Sequence, residues 1–291
     1  MELSYSLPAL AAIGYSVAAI FSKRALDAGF GVLRLSLVIN LLFVPVFALV
    51  LLNDSGMTGE MSLLKPVLTG GTFFLGQAFT FAAIRMGDVS VQTPVMGSKA
   101  VFVVIIVILL GLESLTSTVM WAAILSMLAV GLLGISGTGP TAVLRTISLA
   151  LLSSLFFACS DTMVAFWGRD YGGTRFLFLM IASNAMFSFL LVPLFHEPIR
   201  LVPRVAWRWG IIAGLLMASQ ALIMNYSLTT YQNVASANVI YSTRGLWSVL
   251  LGIIPLACLH NSTIPKDLKV RSARLVGATL MCLAIYILFS S

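Results

Sequence analysis

Long apolar runs follow one another along the whole chain, separated by short polar turns. They lie near 5–26, 32–52, 64–86, 89–112, 117–137, 144–168, 174–195, 207–230, 233–256 and 270–290. The turns between them are sequences such as LNDSGMTGE, GRDYGGT, FHEPIR and LHNSTIPKD. Within each run the apolar positions are continuous rather than alternating, which argues against a membrane β-barrel. In lipid each backbone polar group must be satisfied inside its own segment, and a helix does this. About 20 such residues cross a hydrocarbon core of roughly 30 Å. The pattern predicts an all-α integral membrane protein of ten transmembrane helices.

The two halves, 1–140 and 141–291, resemble each other, with a junction near GTGPTAV. At an offset of 144, Ser16 falls on Ser160 and Gly29 on Gly173; at 143, Gly71 falls on Gly214 and Gln77 on Gln220. At 145, Ser98-Lys99 falls on Thr243-Arg244. Each half has an odd number of predicted spans, five, so the second must enter the membrane with opposite orientation. Two inverted five-helix repeats around a central cavity are an arrangement characteristic of alternating-access transporters.

Composition agrees: 59% of the 291 residues are hydrophobic and 9% charged, with mean hydropathy +1.04, against about 25% charged in a soluble domain. The opening MELSYSLPALAAIGYSVAAIF has no basic leader and reads as a first span rather than a cleaved signal. The net charge of +7 is a topology signal, not a nucleic-acid footprint. Lys65, Arg169 and Arg175 fall on the face of the termini. Twelve fall on the other: Lys23, Arg24, Arg34, Arg85, Arg145, Arg200, Arg204, Arg208, Lys266, Lys269, Arg271 and Arg274. The positive-inside rule then puts both termini outside the cytoplasm. Cys159, Cys258 and Cys282 form no CxxC pair, and His196 and His260 lie in turns. With no HExxH, GxSxG or GxxxxGK[ST] motif, neither a metal site, a cofactor, a catalytic residue nor ATP hydrolysis is expected.

The two remaining cations, Lys99 and Arg244, sit near the middle of predicted spans four and nine. Each is about 15 Å along its helix at 1.5 Å per residue, too deep to snorkel easily. Intramembrane charges usually face a cavity and meet a ligand or counter-ion. Gln92, Met96 and Lys99 share one helix face, and Tyr241, Arg244 and Ser248 form a similar stripe flanked by Asn238 and Ser242. The two faces are expected to meet and bind an anionic group, with arginine as a planar fork and lysine as a point charge; the competing role is structural, each cation satisfied by helix-end carbonyls or an acid. Asp161, well inside segment six, is the acid that can pair with either cation or carry a coupling proton. The matched Gln77 and Gln220 can bind substrate or bridge helices, and Trp247 can line the cavity. Trp167, Trp207 and Trp209 suit an interfacial belt.

The layout, a first helix ending in FSKRALDAG and a fourth opening after IRMGDVSVQTPV together resemble the EamA-type family of the drug/metabolite transporter superfamily, over essentially the whole chain. The resemblance implies a secondary transporter in a bacterial inner (plasma) membrane that exports or exchanges a small metabolite. Amino acids rank first as substrate; the alternative is a phosphorylated-sugar or nucleotide-linked metabolite exchanger. An intramembrane enzyme or a channel ranks lower, since no catalytic motif and no selectivity filter is present. The expected partners are the small-molecule substrate, the lipid bilayer and protons as coupling ion; no nucleic acid is expected, and the chain works as a monomer or homodimer. Many relatives keep both termini in the cytoplasm, and the charge count argues the reverse here.

Overall fold

A small set of glycine contacts explains how these helices come so close. In the computed structural model, which describes residues 3–53, 62–86, 95–112, 116–133, 143–253 and 268–289, a Cβ at Gly70 would overlap the carbonyl oxygen of Met180, and one at Gly214 would overlap Leu42. Such close backbone contact is how helices associate where lipid tails offer no hydrophobic drive.

The helices are α1 (Leu3–Asp27), α2 (Val32–Ala48), α3 (Leu64–Met86), α4 (Lys99–Leu109), α5 (Ser117–Leu133) and α6 (Val143–Gly168). They continue as α7 (Thr174–Ser188), α8 (Arg204–Tyr231), α9 (Val234–Tyr241), α10 (Arg244–Ile253) and α11 (Leu268–Phe289). Short 3₁₀ turns extend α2 (Leu49–Asn53) and α7 (Phe189–Leu194), and no strand occurs among the described residues. Five stretches are long and apolar enough to cross a membrane: Leu3–Asp27, Val32–Leu52, Leu144–Tyr171, Thr174–Leu194 and Arg204–Tyr231. Three shorter helical stretches, Lys99–Leu109, Ser117–Leu132 and Leu275–Phe289, are apolar too. The chain is an all-α protein of membrane type.

Helices from the first 140 residues pack mainly on helices from the rest. α1 lies along α8 and α3 along α6; α2 also meets α8, and α3 meets α7. α4 packs on α6, α1 on α9 and α10, and α5 on α11.

Apolar side chains cover the outside of the bundle as well as filling its core. Large apolar side chains face outward at helical spacing, as Ile105 and Ile108 on α4, Leu151 and Leu155 on α6, and Ile211 and Leu215 on α8 do. Hydroxyls and amides are buried between helices: Ser16, Asn40, Ser160, Asn184, Ser188 and Asn225. Many are satisfied by their own helix, so they add no packing penalty. Ser188 donates to the Asn184 carbonyl at 2.8 Å and Asn225 to that of Ala221 at 2.8 Å.

Both ends of the bundle carry cation–aromatic contacts of the kind expected at an interface. At the end of α1 and start of α8, the Arg24 guanidinium lies 4.7 Å from the Trp209 ring centre, while Phe30 packs edge-on against Trp207. At the start of α3 and end of α6, Lys65 lies over Trp167 and Tyr171 at 5.6 and 4.9 Å. The α1–α2 turn needs left-handed backbone at Gly29 (φ 95) and Gly31 (φ 77), which glycine adopts without a Cβ clash. The α6–α7 turn has the same device at Gly172 and Gly173.

Candidate functional site

The spacing reads residues 89–112 and 233–256 each as one helix; the structure interrupts both at matched places. A tight turn at Gly97–Ser98 precedes Lys99, and one at Ser242–Thr243 precedes Arg244. The turns use the same bond, Ser98 N–H to Val95 O and Thr243 N–H to Ile240 O, each 3.0 Å long. Such an i→i+3 bond is a 3₁₀ contraction, a feature often found at functional hinges. Each cation therefore opens a new helical piece at mid-segment.

From these positions both side chains converge on one aromatic ring. The Lys99 ammonium is 5.5 Å from the centre of the Tyr241 ring, and the Arg244 guanidinium carbon is 4.8 Å from it. Arg244 also lies 4.7 Å from the ring of Tyr15, on α1, and the two tyrosines meet edge to face. The negative face of each ring favours the nearby cation. The Tyr241 hydroxyl donates to Gln220 Oε1 at 2.9 Å, tying α9 to α8.

Asp161 completes the cluster from α6. Its Oδ2 lies 2.6 Å from Lys99 Nζ, and that buried oxygen has no other partner. Phe157, one turn earlier on α6, brings its ring within 5.8 Å of the same ammonium and rests on Gly76, where a Cβ would come within 2.9 Å of it. Of the two pairings open to Asp161, the structure selects Lys99. Arg244 has no carboxylate within ion-pair distance among the described residues. It keeps part of its surface accessible, whereas Lys99 and Asp161 are buried.

The backbone beside Arg244 is pinned to α1. Its carbonyl oxygen accepts from Ser16 at 2.9 Å and from Ser248 at 2.8 Å, and the Ser248 hydroxyl reaches Ser16 Oγ at 3.2 Å.

The other expected residues divide. Gln220 joins the cluster through Tyr241. Its match Gln77 does not: it accepts from Asn40 at 2.6 Å, and Asn40 also donates to Ser188 at 2.7 Å, so this amide bridges α3, α2 and α7. Met96 sits against Thr80, which is 3.9 Å from its sulfur and hydrogen-bonded to Ser153 at 2.6 Å. Asn238 is buried and donates to the Val234 carbonyl at 3.1 Å. Trp247 packs, partly buried, against the main core one turn beyond Arg244. Gln92 lies outside the described residues. Sequence reasoning missed Tyr15 and Phe157; their only signal is that Phe157 precedes Asp161 by one turn and that Tyr15 adjoins Ser16.

Chemically, the cluster is a neutralised lysine–aspartate pair beside a guanidinium held on two aromatic faces. A guanidinium fixed in this way presents its planar donors to a carboxylate or phosphate.

No protein-family model matches this chain, and no curated protein does either. Among solved structures, one described only as "Crystal structure of protein" is similar to it, with a TM-score of 0.70 and 15% sequence identity, covering 94% of this chain and 97% of that one. The likeness extends over nearly the whole length of both chains and concerns the fold.

Proposed function

We propose that this protein is a secondary active transporter of the EamA type, moving a small carboxylate- or phosphate-bearing metabolite by alternating access. The observation that carries the reading is the cluster itself: Lys99 and Arg244, at matched helix breaks, converge on Tyr241 in the middle of apolar helices. Burying two cations in lipid is expensive unless they serve a ligand or pathway, and broken helices with a midplane site are a recurring transporter design.

An inverted five-plus-five repeat is supported by the way helix contacts exchange between halves. If α1, α2, α3 and α4 correspond to α6, α7, α8 and the α9–α10 pair, then α1 on α8 matches α6 on α3. Likewise α2 on α8 matches α7 on α3, and α4 on α6 matches α10 on α1. The matched Gly71 and Gly214 each approach the second helix of the opposite half, at Phe187 and Leu42. In this reading the chain crosses a bacterial inner membrane ten times with both termini outside the cytoplasm, and Asp161 couples transport by exchanging its bond to Lys99 for a proton.

The test is flux in proteoliposomes loaded with a mixed pool of amino acids, organic acids and organophosphates. Removing one partner of a desolvated charge contact costs about 2 kcal/mol or more, so Arg244→Ala lowers kcat/KM by roughly 30-fold or more while leaving expression intact. Full transport by both Arg244→Ala and Lys99→Ala would make the two cations structural and remove the basis for the proposal.

A further inference from the structure

The charge balance of the cluster restricts what it can accept. Lys99 and Asp161 cancel at 2.6 Å. The other nine acids, Glu2, Asp27, Asp54, Glu60, Asp88, Glu113, Asp170, Glu197 and Asp267, fall between the apolar runs, at their ends or at the start of the sequence, away from the middle of any run. Among the described residues, the charge of Arg244 is left without a carboxylate at ion-pair distance.

We infer that the site selects a singly charged anion without an ammonium group, such as a 2-oxo or N-acylated monocarboxylate, over a zwitterionic amino acid and over a dianion. The inference rests on the transport reading above and narrows its substrate class. A carboxylate brought to Arg244 makes the cluster neutral, and two charges buried together are tolerated when paired and hydrogen-bonded. An amino acid would bring a second cation, and the one carboxylate of the cluster is already paired, its Oδ2 buried against Lys99.

Two of the neutral acceptors nearby are also engaged. Gln220 Oε1 takes the Tyr241 hydroxyl, and the Arg244 carbonyl takes two serine hydroxyls. Asn238 Oδ1 has no partner, but it is fully buried and uncharged, so it cannot balance an ammonium. Both tyrosine faces are already turned to the guanidinium. While Asp161 holds Lys99, a dianion would leave one negative charge unmatched in the same low-dielectric surroundings.

The experiment is competition and counterflow with the full-length protein in proteoliposomes. Two probe series share a side chain within each, so apolar contacts cancel: leucine, N-acetylleucine and 4-methyl-2-oxopentanoate; and phenylalanine, N-acetylphenylalanine and phenylpyruvate. Succinate is the dianion. The 2-oxo or N-acetyl compound is expected to exceed its parent amino acid at least tenfold in kcat/KM, with succinate below it. Arg244→Gln removes the charge that no carboxylate faces among the described residues, so the ratio of monoanion to parent amino acid should fall at least tenfold.

Wild-type transport of the amino acid equal to or better than its 2-oxo and N-acetyl analogues overturns the inference and leaves the transport reading standing. An unchanged ratio of monoanion to amino acid in a folded Arg244→Gln protein overturns it equally, and if that variant does not fold, the wild-type ranking decides. Absence of flux and of competition by every probe would count against transport itself.

Discussion

Removing one member of the Lys99–Asp161 pair should cost far more than removing both. The two atoms are 2.6 Å apart and both side chains are almost fully buried. At an effective dielectric of 20 their attraction is roughly 6 kcal/mol, most of it offset by the cost of taking both charges out of water. Breaking such a pair leaves the survivor desolvated and unmatched, at a cost of about 3–5 kcal/mol. Lys99→Met and Asp161→Asn are each expected to destabilise by that amount. The apolar double replacement Lys99→Met/Asp161→Leu discards the desolvation cost with the attraction and should lie within about 1 kcal/mol of wild type or above it. The assay is equilibrium unfolding of the purified protein in mixed micelles, arranged as a double-mutant cycle. A double variant that loses the sum of the two single losses would mean that the groups do not interact, and the site's charge balance would have to be redrawn.

Tyr241→Phe keeps the ring beneath both cations but strands Gln220 Oε1. It should lose about 1–3 kcal/mol of stability and retain transport, whereas Tyr241→Ala should abolish transport in the same flux assay. Gly70→Ala forces a methyl group into the Met180 backbone and within 2.8 Å of Ser183 Cβ; it should destabilise by about 1–3 kcal/mol. Gly131→Ala, where nothing lies within 4 Å, should be neutral in a parallel unfolding measurement. Arg34→Ala removes a 3.3 Å pair to the exposed Glu197 and should change stability by no more than about 1 kcal/mol. For topology, cysteine placed at Glu197 should be labelled only from the cytoplasmic side, and cysteine at Tyr171 only from the outside, by a membrane-impermeant maleimide in whole cells. The reverse pattern would invert the orientation read from the basic residues.

Helix extents were legible because lipid makes them so. The run read at 207–230 is α8 at Arg204–Tyr231, and the run at 174–195 is α7 with its 3₁₀ extension to Leu194. A residue's compatibility with hydrocarbon is a local property, and polar turns mark where it ends. The candidate cations were legible for the same reason, since a charge in such a run stands out. Their surroundings were not. Periodicity placed Tyr241 and Arg244 on one stripe, but it carries no information about Tyr15, more than two hundred residues away. Gln77 and Gln220 looked equivalent by offset, yet one accepts from Asn40 and ties α3 to α2 while the other supports Tyr241. The neighbours that decide between those roles come from other helices.

The sequence by itself determined an all-helical chain of membrane character, the positions of its apolar segments and the two cations within them. Each follows from the transfer of single residues or short runs out of water, a term that needs no knowledge of neighbours. Only the tertiary structure decided that Asp161 pairs with Lys99 and leaves Arg244 to two tyrosines, and that both helices tighten just before their cation. Ion pairs and ring contacts act over a few ångströms between segments far apart in the chain, so they are set by how α1, α4, α6, α8 and α9–α10 come together.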